Sequence, residues 1–261
     1  MNDDREPSER SCAGRTILVT GASAGIGAAL ARRLAADGAR VHLAARRAEK
    51  LDEHVDAIRA GGGIATAHGC DITSGDSVAS VFAAIEREHG SIDAVVNTAA
   101  TLWLEPFHGQ SEESWEAMLA TNLGGAIRVT QQALARMLPR KSGHVVHLTS
   151  TAGNLAIPYL AVYSATKAGL AQFLAALRGE YGTSGVRFTE IQIGNTAGTE
   201  GGGQVWRETT ADMARQIMRW TGAPEMMRVD DVVDAIVWAL ASPANVRLDR
   251  IVLRELAEIP T

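Results

Sequence analysis

Short runs of apolar and β-branched residues alternate with helical patterns along most of the chain. Thr16–Thr20, Val41–Ala44, Ile64–Ala67, Ala94–Val96, Val145–Leu148, Val186–Ile193 and Arg250–Leu253 read as strands. Several lack polar alternation, the pattern of strands covered on both faces. Between them, Leu51, Val55 and Ile58 share one helical face, as do Leu170, Phe173, Leu174 and Leu177. Val232, Val233, Ile236, Val237 and Leu240 mark a late helix. Ser74 and Ser111 are placed as helix N-caps, the second followed by Glu112 and Glu113.

Strand–helix alternation implies a parallel sheet with right-handed crossovers. An open doubly wound sheet and an eight-fold barrel both satisfy it, and the count of about seven strands favours the open sheet. No repeat or linker divides the 261 residues, so the fold class is α/β, one Rossmann-type domain. The folded part is expected over 14–261, after a flexible tail over 1–13 whose first ten residues are polar and acidic. Gly194–Gly203 is the least patterned internal stretch, and a mobile substrate loop is expected over 194–228.

Composition narrows the function. The chain is 46% hydrophobic and 21% charged, with a net charge of −5 and scattered arginines, so no basic stripe offers itself to nucleic acid. No run approaches the roughly 18 apolar residues of a membrane helix, and the amino-terminal segment has no apolar core for a signal peptide. Cys12 and Cys70 stand far apart without CxxC spacing, so neither a disulfide framework nor a metal site is expected. The default location is cytoplasmic.

The first strand runs into Gly21-Ala22-Ser23-Ala24-Gly25-Ile26-Gly27, followed by a helix over Ala28–Ala36. Glycines here let the backbone bend tightly and approach a pyrophosphate, whose charge the N–H groups at the helix start then bind. Gly21-Ala22-Ser23-Ala24-Gly25 also fits the GxSxG elbow of α/β-hydrolases, but only some 20 residues precede Ser23, too few for the strands and oxyanion loop that the elbow requires. The second strand ends in Ala45-Arg46-Arg47. An acid near this point would bind the 2′-hydroxyl of NAD; two guanidinium groups suit a 2′-phosphate instead, so the expected cofactor is NADP(H). Alternatively the arginines merely open a surface helix, and the missing acid still argues against NAD selectivity.

Tyr163 and Lys167 are four apart and share a helix face. An ammonium near a phenol favours the phenolate, so a lowered Tyr163 pKa is expected, with Tyr163 as general acid/base. Ser150, where the chain leaves a strand, is placed to donate to an oxygen on which charge develops.

Taken in order, these motifs resemble the single-domain short-chain dehydrogenases/reductases, from about Gly14 to Arg254. The glycine turn is joined by Asp71, Asn97-Thr98-Ala99-Ala100, Asn122, Ser150 and Tyr163-Ser164-Ala165-Thr166-Lys167. The resemblance implies catalytic roles for Ser150, Tyr163, Lys167 and Asn122. Lys167 would also bond the nicotinamide ribose, and Asn122 would kink its helix and anchor a proton-carrying water. Asp71 would bind the adenine amino group and Ile72 would pack on its ring. Ile26, Asn97, Ala99 and Gly194 would line the cofactor cleft. Three positions depart from the family pattern. Thr98 and Ala100 stand where it usually has Asn and Gly, and Ile193 where it has Pro. Ser242–Val246 and Asp249–Arg254 resemble the tail of a subgroup of NADP-dependent reductases of small hydroxy acids, aldehydes and ketones. A homodimer or homotetramer through the helices of Asn122 and Tyr163 is also implied.

Trp103, Leu104, Phe107, Ile157, Pro158, Tyr159 and Leu160 fit a roomy apolar pocket beneath a lid. So do Trp206, Met213, Ile217, Met218, Trp220, Met226 and Met227, interleaved with Arg207, Arg215, Arg219 and Arg228. The same residues also read as core or subunit contact. The favoured activity is hydride transfer between nicotinamide and a small or medium-sized carbonyl or alcohol. The alternatives are a non-catalytic NADP(H)-binding sensor or structural protein, and a lyase or isomerase on the same scaffold.

Overall fold

In the computed structural model, residues 11–199, 211–221 and 226–256 are described. The elements run β1 (Thr16–Thr20), α1 (Gly25–Ala36), β2 (Arg40–Ala45), α2 (Ala48–Ala60), β3 (Ile64–Gly69), α3 (Gly75–His89) and β4 (Ala94–Asn97). Next come α4 (Glu112–Met118), a π-helical turn (Leu119–Gly125) and α5 (Ala126–Arg140). The chain continues through β5 (Gly143–Ser150), α6 (Ala161–Tyr181), β6 (Val186–Ile193), α7 (Ala211–Thr221), α8 (Val229–Leu240) and β7 (Arg250–Leu253). All seven strands are parallel, in the order β3-β2-β1-β4-β5-β6-β7. This is the doubly wound sheet, not the barrel.

Successive strand residues feed opposite faces. Ile17, Val19, Val41 and Leu43 pack with Leu30, Leu34, Leu51, Val55, Val232 and Ile236 of α1, α2 and α8. Leu18, Ala44, Val95 and Val145 pack with Phe82, Ile85, Val129, Met137 and Leu174 of α3, α5 and α6. Central strands are therefore buried on both faces and mostly apolar, with His42, His144 and His147 among the polar side chains they bury. Both sequence-placed caps form: Ser74 accepts from the Ser77 amide and Ser111 from the Ser114 amide. The order of β1 and β4 reverses the direction of winding between them, and that opens a crevice at their carboxyl ends.

The boundary at residue 14 needs correcting. Cys12 is buried with Leu34 and Ala39, because the chain enters β1 over the end of α1, where the Gly14 amide donates to the Gly38 carbonyl. Residues 1–10 of the expected tail, and 200–210 and 222–225 of the expected loop, lie outside the described residues. Cys12 and Cys70 are both free and buried, and burial pushes both thiols up. Among the described residues no helix is long and apolar enough to cross a membrane.

Candidate active site

The crevice is a cleft of about 830 Å³. Its floor begins at the glycine turn, where Gly21 and Gly25 have φ of 75° and 54°, a region that favours glycine. Gly21 is tied to β2 by its amide, 2.9 Å from the Ala44 carbonyl. A Cβ on Gly21 would stand 2.6 Å from the Ala99 amide nitrogen, and one on Gly27 would stand 2.5 Å from the Gly21 carbonyl oxygen. The helix start is uncapped by any side chain, and its first turn carries no acid. The backbone thus forms a cradle bare of side chains, with the positive end of α1 behind it, which suits a pyrophosphate.

Thr98 fits this cradle well. Its hydroxyl donates to the Thr20 carbonyl at 2.7 Å, wedging β4 under the turn. The departure from asparagine is therefore compatible with a closed turn. Ser23, Gly25, Ile26, Arg46 and Arg47 line one end of the cleft, and Arg47 donates to the Ser23 hydroxyl at 2.7 Å. Ala45 at the end of β2 leaves no acid there. Asp71, Ile72 and Ala99 also line the cleft. One Asp71 carboxylate oxygen accepts from both the amide and the hydroxyl of Thr73, bonds that hold its carboxyl below the usual range.

At the other end β5 and α6 bring together Ser150, Tyr163 and Lys167. The Ser150 and Tyr163 hydroxyls are hydrogen-bonded, and the Gln192 amide holds the Ser150 carbonyl at 3.1 Å. Lys167, 3% exposed, donates to the Leu148 carbonyl at 3.0 Å and lies 5.6 Å from the centre of the Tyr163 ring. The expected lowering of the phenol is corrected. Burial pushes Tyr163 up to about 12, with the Ser150 bond opposing it, and burial pushes Lys167 down to about 8. Desolvation outweighs attraction because the same burial penalises both charged forms and the ammonium spends a bond on Leu148.

Two expected site residues do not reach the cleft. Asn97, 3% exposed, turns into the protein, where its side-chain oxygen accepts from the Thr20 hydroxyl and its amide donates to His147 Nδ1 at 3.2 Å. The other His147 nitrogen donates to the Thr130 hydroxyl at 2.8 Å, and that hydroxyl donates to the Ala126 carbonyl. This buried relay ties β1, β4, β5 and α5 together. Asn122 sits in the π-helical turn with its side chain bonded to the Thr101 amide and carbonyl, both at 2.8 Å, and to the Thr166 hydroxyl. It positions the loop after β4 against α6 instead of touching the cleft.

Gly194 lines the cleft beside Asn195 and Thr196. Trp103, Leu104, Ile157, Leu160 and Met226 form the apolar half, and Ile217 of α7 packs on Ile157 and Leu160. Tyr159 adopts a left-handed φ of 67°, and its carbonyl accepts from the Glu105 amide at 3.3 Å. Glu105 also lines the cleft, a carboxylate that sequence reasoning did not single out. Phe107 is exposed and lies outside it. The cleft is not lined by Arg215, Arg219 or Arg228. Arg228 instead pairs with Asp230 at the start of α8. Trp206 and Arg207 lie outside the described residues.

A family model described as short chain dehydrogenase matches residues 15–209. The chain is 33% identical over 238 residues to an NADP-dependent 3-hydroxy acid dehydrogenase of Salmonella typhi, covering 90% of this chain and 92% of that protein. It is also 33% identical over 240 residues to a glycine betaine reductase of Emericella nidulans, covering 92% of this chain but only 18% of that much longer protein. Among solved structures, a serine dehydrogenase complexed with NADP+ superposes with a TM-score of 0.81 at 31% identity, over 91% of this chain and 94% of that one. Sheet order, cradle, the hydroxyl–phenol–ammonium group and these matches agree: the chain belongs to the short-chain dehydrogenase/reductase family.

Proposed function

We propose that the protein is an NADP(H)-dependent carbonyl reductase or alcohol dehydrogenase with Tyr163 as its proton donor and acceptor. One observation carries this reading: Ser150, Tyr163 and Lys167 converge in the same cleft as the bare glycine cradle and the Arg46–Arg47 pair. The cradle of Gly21, Gly25 and Gly27 would hold the pyrophosphate, Ser23, Arg46 and Arg47 the 2′-phosphate, and Asp71 and Ile72 the adenine. The bound nicotinamide supplies or accepts the hydride.

The chain's own residues manage the proton. A phenol pushed up to about 12 is fully protonated at neutral pH, the state that gives a proton to a carbonyl oxygen. Ser150 donates a hydrogen bond to the same oxygen as charge builds on it. Lys167, pushed down to about 8, is still mostly charged at neutral pH and steadies that charge across the Tyr163 ring. Asn122 acts indirectly, by fixing Thr101 and Thr166. The apolar wall of Trp103, Leu104, Ile157 and Leu160 beside polar Glu105 and Asn195 suits a small or medium-sized substrate with one polar end. The names of the relatives, a hydroxy acid dehydrogenase and a serine dehydrogenase, agree with that size. Assembly into a homodimer or homotetramer would use α5 and α6.

The test is a panel of aldehydes, ketones and oxo acids with purified protein and either NADPH or NADH, followed by loss of nicotinamide absorbance. Turnover with NADPH in preference to NADH supports the proposal. Tight NADPH binding without turnover across the panel would replace it with the sensor reading.

A further inference from the structure

On the face of the sheet covered by α3, among residues that do not line the cleft, three histidines and a glutamate meet. His42 lies in the middle of β2, paired in register with Thr66, and His68 follows two residues further along β3 on the same face. Glu88 and His89 end α3 above them. His42 is 1% exposed, and its Nδ1 is 2.9 Å from His68 Nε2. The His42 and His89 rings meet edge to face with centres 5.0 Å apart. His89 Nε2 stands 3.4 Å from a Glu88 carboxylate oxygen.

Nε2 of His42 and Nε2 of His89 are both buried, and neither has a hydrogen-bond partner. Buried polar atoms without partners are rare in folded proteins and call for an explanation. Here two of them flank one carboxylate, and one ligand atom from each of His42, Glu88 and His89 falls within 4.8 Å of the others. We propose that His42, Glu88 and His89 bind one divalent transition-metal ion of the zinc class, with His68 orienting the His42 ring.

The dimensions support this. A tetrahedral ion with bonds of about 2.0–2.1 Å separates neighbouring ligand atoms by about 3.3–3.4 Å. The Glu88–His89 pair already has that edge at 3.4 Å. The same Glu88 oxygen accepts from the Thr66 hydroxyl at 3.4 Å, and the wider gaps, within 4.8 Å, close by small rotations of the 44%-exposed Glu88 side chain and of the His89 ring at the end of α3. With the proton of their 2.9 Å contact on His42 Nδ1 and donated to His68 Nε2, the His42 Nε2 lone pair is left for a metal, the usual outer-shell arrangement for an imidazole ligand. Two imidazoles with one carboxylate suit Zn²⁺, Co²⁺, Ni²⁺ or Cu²⁺ better than Mg²⁺ or Ca²⁺, which prefer oxygen. Solvent water completes the fourth position on the Glu88 side. Such an ion would clip the end of α3 to β2, stiffening the β3–α3 unit that carries Asp71 and Ile72 into the cleft.

The experiment uses tag-free full-length protein stripped with chelator, titrated calorimetrically with Zn²⁺ and spectroscopically with Co²⁺. The expected result is one Zn²⁺ per chain, the visible bands of four-coordinate Co²⁺, and a Tm raised by about 5–10 °C at a hundredfold excess over Kd. His89→Gln and Glu88→Gln should each weaken Zn²⁺ at least tenfold, and His68→Gln by about 10–100-fold. Glu88, at the surface, keeps the comparison valid if the histidine variants fold poorly. Absence of saturable binding, or equal affinity in wild type and Glu88→Gln, would overturn the proposal. The readout does not depend on nucleotide or substrate.

Discussion

Replacing Gly27 by alanine probes the cradle where it is tightest. The new Cβ would lie 2.5 Å from the Gly21 carbonyl oxygen and 2.6 Å from the Thr98 hydroxyl oxygen, whereas ordinary contact begins at 3.4 Å. Some 0.9 Å must therefore be found (3.4 less 2.5). Thr98 gives way only by losing its bond to Thr20, and Gly21 is backbone pinned to Ala44, so the first turn of α1 has to move. Overpacking of this kind costs about 1–3 kcal/mol, and rigid backbone on one side puts Gly27→Ala near the upper end. For a domain of this size that lowers Tm by about 4–10 °C. A shift of this size also stretches the N–H bonds expected to hold the pyrophosphate, and losing one charged hydrogen bond weakens NADPH by about 10–150-fold. Thermal melts and fluorescence titration with NADPH measure both quantities. Gly75→Ala is the control, since a Cβ there meets nothing within 4 Å. Gly27→Ala with an unchanged Tm and wild-type NADPH affinity would refute the reasoning.

Three further outcomes are expected. Arg47→Ala, or Arg46→Ala, should raise the KM for NADPH by about 10-fold or more through loss of a charge-assisted bond, leaving NADH little changed; equal effects would contradict a phosphate role. Burial moves Lys167 from 10.5 to about 8, so below pH 8 the fold carries a charge penalty of about 3 kcal/mol, which fades as pH rises toward 10.5 and the folded lysine loses its proton first. Lys167→Met should thus gain stability relative to wild type at pH 7 and lose that advantage by pH 10.5, measured by urea unfolding; a constant difference would contradict the shift. Thr130→Val keeps the shape but leaves the His147 Nε2 proton without its acceptor, and should cost about 1–3 kcal/mol in urea unfolding.

The centre of the sheet was legible because its strands are buried on both faces. Runs such as Ile17–Val19 and Val145–Leu148 have no polar alternation to confuse them. Helix starts were harder: α1 begins at Gly25, since its first turn is made of the residues that form the cradle. Ser150, Tyr163 and Lys167 could be found because strand ends and one helical turn place them, and both are local facts. Asn97 was misplaced toward the cleft because its partner, His147, lies 50 residues away on a neighbouring strand. The π-helical turn at Asn122 depends on Thr101 in the same way. The sign of the Tyr163 shift followed from burial, which spacing does not reveal. His42, His68 and Glu88–His89 have no metal-site spacing in the chain; only strand register and the end of α3 unite them.

The central claim is tested most directly by Tyr163→Phe, which removes one oxygen and leaves the cleft in place. NADPH affinity should remain at the wild-type value while kcat for carbonyl reduction falls by about 10²–10⁴-fold, the contribution of a positioned proton donor. Turnover at the wild-type rate in this variant would contradict the account.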